Sequence, residues 1–215
     1  MDSIQNWQLA IWIMLLATGC TNINHDRELE HVQSFINRNS FNDNISILVD
    51  FSIHSGKNRM FVYDMKRGKV LYACPVSHGI GSGRDAVPNQ FSNTPGSLMS
   101  SLGLATLGHR DYSPQGVKFK YWLDGHESTN NKMKQRLVVM HSYAGVPSQP
   151  IYPRRIITSE GCLMVGNEAL HKLDNIIKAE SNKKIVIYSF QNNRPRATVR
   201  AKAKTELRRI ARRIR

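Results

Sequence analysis

Leu29, Val32, Phe35 and Ile36 recur at the spacing of a single helix face, which predicts a short amphipathic helix over residues 27–38. The pattern then changes to short apolar segments, residues 45–53, 59–65 and 69–76, that read as strands. Lys66-Arg67-Gly68 supplies turn residues between the last two, so the three segments predict a β-meander. Residues 77–114 are rich in Gly, Ser, Asn and Pro and hold few apolar runs, which predicts long loops carried on a sheet. Loops of that length in one domain are usually functional. Strand patterns return at 117–123 and 136–141. Asn167 is expected to cap a helix with Leu170, Leu173, Ile176 and Ile177 on its apolar face, and residues 184–190 form a closing strand. No internal repeat is present. The fold class expected is mainly β, with a few short helices and long loops.

At 215 residues the chain suits one domain with extensions and leaves no room for a second large one. Its net charge of +14 is unevenly placed. From Gln191 onward ten Lys and Arg residues stand against Glu206 alone, so nine of the excess positive charges belong to the tail. Basicity therefore says little about what the body binds. The tail, with Leu207, Ile210, Ala211 and Ile214 among its arginines, suits an anionic envelope surface or a solvated extension. Nucleic acid is not expected, because no aromatic residues are interleaved for base stacking.

Residues 9–17 are an apolar stretch of signal-peptide length, too short to span a bilayer. The stretch runs into Ala17-Thr18-Gly19-Cys20, which resembles the lipobox of bacterial lipoproteins. By that resemblance Cys20 is lipidated and anchors the chain to a membrane. The expected organisation is an export signal over 1–20, a tether with the short helix over 21–44, the folded body over 45–190 and the basic tail over 191–215.

Candidate chemistry centres on Cys162, which follows Gly161 directly, and on His141 at the end of an apolar run. A thiol attacks as thiolate, so it needs a base or a positive field beside it. His141 is the natural base. Gly161 lets the backbone turn sharply and lets a carbonyl approach the Cys162 amide, a candidate oxyanion donor. The plainer alternative is a buried structural thiol beside a satisfied core histidine. Cys74 sits in the apolar segment 70–74 and reads as core, although a Cys74–Cys162 disulfide stays open. The histidines at 78, 109, 126, 141 and 171 show no zinc-like spacing with Cys162, so no metal and no cofactor is implied. Gly79, Gly81 and Gly83 are placed too irregularly for a dinucleotide fingerprint.

The ordered motifs Ser77-His78-Gly79-Ile80-Gly81-Ser82-Gly83, Phe91-Ser92-Asn93, Ser100-Ser101-Leu102-Gly103, Asn130-Asn131, Arg136, His141 and Ser159-Glu160-Gly161-Cys162 resemble the murein L,D-transpeptidase catalytic domain of the YkuD-like type. The resemblance covers roughly residues 45–190. It implies a sandwich- or barrel-like β domain in which a cysteine and a histidine cut and rejoin peptidoglycan stem peptides in the bacterial cell envelope, on its periplasmic side. Carried over, Cys162 is the nucleophile, His141 its base, Ser159 lies beside the site, and the Gly161 and Cys162 amides line the oxyanion position. His78, Ser82, Phe91, Asn93 and Arg136 then become candidates for touching substrate. Two positions depart from the family pattern: Glu160 stands where histidine is common, and Leu163 where proline is frequent. A carboxylate at 160 tends to raise the thiol pKa. Hydrolysis of the same bonds, and non-catalytic binding of peptidoglycan by a lipoprotein, are the alternative functions.

Overall fold

Strand β1 (Ile45–Asp50) is buried along its whole length because both of its faces are covered. Ile45, Ile47 and Val49 point into the main core, while Leu48 points into a second cluster on the other side. A strand covered on both faces reads as a continuous apolar run rather than an alternation. In this computed structural model residues 25–180 and 182–192 are described. The expected export signal with Cys20, and the basic tail beyond Asn192, lie outside the described residues. Among the described residues no helix is long and apolar enough to cross a membrane.

The first helix, α1 (Asp26–Asn39), lays Val32 and Ile36 on the second cluster against Leu48, Phe61, Leu104 and Val186. The meander follows as expected. Strands β1, β2 (Met60–Asp64) and β3 (Lys69–Cys74) pair antiparallel, with Gly68 at φ 61° in the turn where a side chain would be strained. Then come β4 (Gly103–Tyr112), β5 (Phe119–Gly125), β6 (Val139–Ser142), β7 (Leu163–Val165), α2 (Asn167–Ala179) and β8 (Val186–Phe190). The eight strands of the described residues form one sheet in the order β3-β2-β1-β8-β4-β5-β6-β7. Its junctions are antiparallel except β1 with β8 and β6 with β7. Helix α2 packs Ala169, Leu170, Leu173 and Ile177 into the main core.

Past β3 the chain runs on to meet the far edge of the sheet. Ser77 N–H donates to Met164 O at 2.8 Å, Ser159 N–H to His78 O at 2.8 Å, and Ile80 N–H to Ser159 O at 2.7 Å. The two edges are thereby drawn together into a near-barrel, so neither presents a long unpaired ladder. The mainly β class is borne out.

Two expectations need correction. The stretch expected as loop through residue 114 contains β4, whose pattern is interrupted by Gly103 and Gly108 and by a bulge between Leu107 and Arg110. Asn167 does not cap α2: Gly166 holds the cap position, and Ser148 Oγ accepts from Ala169 N–H at 3.2 Å.

Candidate active site

The parallel pairing of β6 with β7 sets Met140 beside Leu163 and His141 beside Met164. Continuing that register back by one residue brings Cys162 next to Val139. Alternate residues of a strand share a face, so Val139 and His141 look the same way, as do Cys162 and Met164. Cys162 and His141 are therefore diagonal neighbours on one face, and both line a cleft of about 570 Å³ with Ile80, Gln115, Tyr143, Ile157, Thr158, Ser159, Glu160 and Met164. Parallel neighbours require a long crossover, here residues 143–162, and that crossover returns the cysteine to the histidine.

His141 is 8% exposed. Its Nδ1 lies 3.1 Å from Ser142 O, and a carbonyl only accepts, so Nδ1 carries the proton and Nε2 keeps a lone pair. Burial lowers its pKa from the ordinary histidine value, the Ser142 hydrogen bond opposes this, and the charge of Lys120 across the β5–β6 pairing lowers it further. The imidazole is thus neutral at pH 7 and able to accept a proton.

The Cys162 thiol is half-buried and directed at Leu137 O, 3.7 Å away. Burial raises its pKa; the Val139 amide lowers it, Glu160 raises it, and Arg136 and Lys120 lower it. At rest the site therefore holds a thiol beside a neutral imidazole, and a thiolate forms only as the base takes the proton. Gly161 explains itself. It adopts φ 111°, and a Cβ there would lie 2.8 Å from Met99 O. Only glycine fits that turn and that approach.

Ser159 Oγ donates to Cys162 O at 2.7 Å and accepts from Gly161 N–H at 3.2 Å. That hydroxyl shapes the turn. It also corrects the expected oxyanion pair, because the Gly161 amide is already committed to Ser159 and the Cys162 amide is the remaining candidate of the two.

The five residues expected to touch substrate do not line the cleft. His78 is 1% exposed and lies between Arg59 Nη2, at 2.9 Å from its Nδ1, and Gly83 O, at 3.0 Å from its Nε2. Burial, followed by the Arg59 charge, pulls its pKa down to about 4. Ser82 is fully buried and its Oγ accepts from Ser100 N–H at 2.9 Å. Phe91 packs on the main core against Phe51. Asn93 ties its loop to Ser128 O and Asn131 Oδ1, each at 2.8 Å. Arg136 donates to Ser92 O at 2.9 Å, Met99 O at 2.5 Å, Ser97 Oγ and Ser101 Oγ. These side chains hold the 77–101 loops around the cysteine, and Arg136 stands close enough to act on its thiol. Lys120, Gln115 and Tyr143 were missed by sequence reasoning: the β5–β6 register sets Lys120 opposite His141, and Gln115 and Tyr143 reach the cleft from loops. Cys74 is core as expected, and neither it nor Cys162 is in a disulfide. Among the described residues no three His, Cys, Asp or Glu side chains gather as a metal site.

A family model, the L,D-transpeptidase catalytic domain, matches residues 19–188. The chain belongs to that family. Its motif resemblance and its mainly β sheet agree with the membership. No curated protein sequence matches it. Among solved structures it is similar to the helical cell shape determining protein Pgp2 from Campylobacter jejuni, at 16% identity and a TM-score of 0.44, covering 72% of this chain and 50% of that one. It is also similar to Bd1075 from Bdellovibrio bacteriovorus, at 18% identity and a TM-score of 0.42, with 81% and 57% covered. An L,D-transpeptidase from Xylanimonas cellulosilytica gives 14% identity and a TM-score of 0.38, with 69% and 61% covered. The chain thus spans only part of the length of each of these proteins.

Proposed function

We propose that this L,D-transpeptidase-family domain is a peptidoglycan transpeptidase that works through a thioester on Cys162. The observation that carries the reading is the placement of Cys162 and His141 as same-face neighbours on adjacent strands in one open cleft. As the Cys162 sulfur attacks the carbonyl of a donor stem peptide, His141 Nε2 takes the thiol proton. The tetrahedral oxyanion is met by the Cys162 amide. Collapse breaks the peptide bond, His141 returns the proton to the departing D-amino acid amine, and a thioester remains. An amine from a second stem then attacks the thioester, loses a proton to His141, and expels the thiol. Water in place of that amine gives hydrolysis instead. Attachment to a membrane through Cys20 belongs to the same proposal, on the strength of Ala17-Thr18-Gly19-Cys20.

The test is to incubate the chain with a tetrapeptide stem and seek the acyl adduct on Cys162 by mass spectrometry. An adduct present in the native chain and absent in Cys162→Ala supports the reading, and cross-linked product distinguishes transpeptidation from trimming. A folded chain with a free thiol and no adduct overturns it.

A further inference from the structure

A second groove, of about 550 Å³, opens between β4, β5 and the C-terminal end of α2, and shares no lining residue with the Cys162 cleft. Its origin is the bulge in β4. Gly108 and His109 together face the single residue Trp122 on β5, and a Cβ at Gly108 would stand 3.1 Å from Trp122 Cβ. Bulges are frequent beside functional sites because they re-aim side chains and part the sheet locally. Here the break turns Arg110 over the Phe119 ring, at 3.8 Å, and toward Asp174 Oδ1, at 3.0 Å.

The groove has an apolar floor, Leu107, Ile177 and Ile185, and His109, Tyr121 and Trp122 also line it. Its rim is cationic: Arg110, Lys134, Lys178, Lys183 and Lys184. Among the described residues two carboxylates answer them. Asp174 takes Arg110 and Lys178, while Asp124 takes Lys134 at 2.6 Å and Lys184 at 4.0 Å. Lys183 has no carboxylate within ion-pair distance among the described residues. A surplus of positive charge around an apolar floor suits a ligand with both anionic groups and hydrocarbon surface.

We propose that this groove binds the carboxylate-bearing peptide and sugar of a peptidoglycan strand, holding the wall at a place separate from the reacting thiol. The inference rests on the peptidoglycan reading above. It gives the domain a means of staying on a polymer while Cys162 exchanges one stem for another.

The test uses the full chain carrying Cys162→Ala, so that the probe is not consumed. Trp7→Phe and Trp12→Phe leave Trp122 as the sole indole. The probe is a disaccharide tetrapeptide, titrated against Trp122 emission; retention on intact sacculi is measured beside it. The expected result is a saturable emission change and a retention that falls about tenfold in Lys183→Glu/Lys184→Glu, with a matching weakening as salt rises. Unchanged retention in that variant, or an indole indifferent to the probe, overturns the proposal. Equal binding of hyaluronate, a carboxylated glycan without peptide, also overturns it, because the groove is then a general polyanion surface. Should the charge reversal disturb folding, Lys183→Gln/Lys184→Gln replaces it, and the indole titration needs no change in the lysines at all. Adduct formation on Cys162 in the otherwise native chain tests the function reading by itself. A chain that forms the adduct yet binds sacculi without its lysines refutes the groove alone.

Discussion

Arg59 Nη2 lies 2.9 Å from His78 Nδ1, and both side chains are buried, joining the core of the sheet to the loop that flanks Cys162. Arg59 also donates to Val76 O at 2.8 Å, and burial pulls its guanidinium down to about 9, so it is still charged at neutral pH. That charge requires His78 to stay neutral. His78 O in turn accepts from Ser159 N–H, and Ser159 braces the Gly161–Cys162 turn. His78 is therefore a positioning residue.

The protonation of His78 predicts how stability depends on pH. Its folded pKa, about 4, lies below the ordinary 6.5. Above pH 6.5 the ring is neutral in both states and its contribution is complete. Between pH 6.5 and 4 the unfolded chain takes up a proton that the folded chain refuses, so stability falls, by roughly 3 kcal/mol at most. Urea unfolding across this window should show the fall, and His78→Gln should flatten it. A slope unchanged in the variant would show that other groups cause it.

Activity should fail on the acid side through His141. Burial and Lys120 hold its pKa below the usual histidine value, so the base stays available at pH 6.5 and is lost only as pH drops further. Replacing Lys120 by Met removes a positive charge opposite His141, so the acid limb of kcat/KM should move to higher pH. His141→Ala should lower the rate by about 10²–10⁴. A limb that stays in place in Lys120→Met would assign it to another group.

Glu160 is exposed and raises the Cys162 pKa. In Glu160→Gln the thiolate fraction at pH 7 should rise, and alkylation by iodoacetamide should speed up about two- to fivefold, less at high salt because an exposed charge is screened. Stopped-flow alkylation against pH reads this directly. An unaltered pH profile would mean that the carboxylate does not act on the sulfur.

Gly161→Ala forces a side chain into φ 111° and against Met99 O. Strain of this kind costs about 1–3 kcal/mol and displaces the residue that follows. Acyl transfer should fall at least about a hundredfold while Cys162 remains alkylatable, a combination that separates misplacement from loss of the thiol. Native rates in this variant would remove the turn from the mechanism.

The candidate site was legible in part for a specific reason. Cys162 and His141 announce themselves locally, one by its glycine and the other by its position closing an apolar run. His78, Ser82, Phe91, Asn93 and Arg136 share a polar, glycine-rich setting, and nothing in a one-dimensional pattern tells whether such residues face ligand or backbone. Each found a buried or loop-bracing partner far along the chain, such as Arg136 with Ser92 O and Met99 O.

Periodicity and turn chemistry, which act over a few residues, determined by themselves the amphipathic α1, the meander β1–β3, the apolar face of α2, the mainly β class and the juxtaposition of glycine with cysteine. Tertiary structure decided what depends on distant partners. Strand β4 exists because β5 and β8 satisfy its backbone on both sides despite its glycines and bulge. Strand β7 has only three residues and is specified by its parallel neighbour β6, the same pairing that places Cys162 beside His141. A hydrogen-bond register between segments twenty residues apart is a long-range property, paid for by the packed core, and no local pattern encodes it.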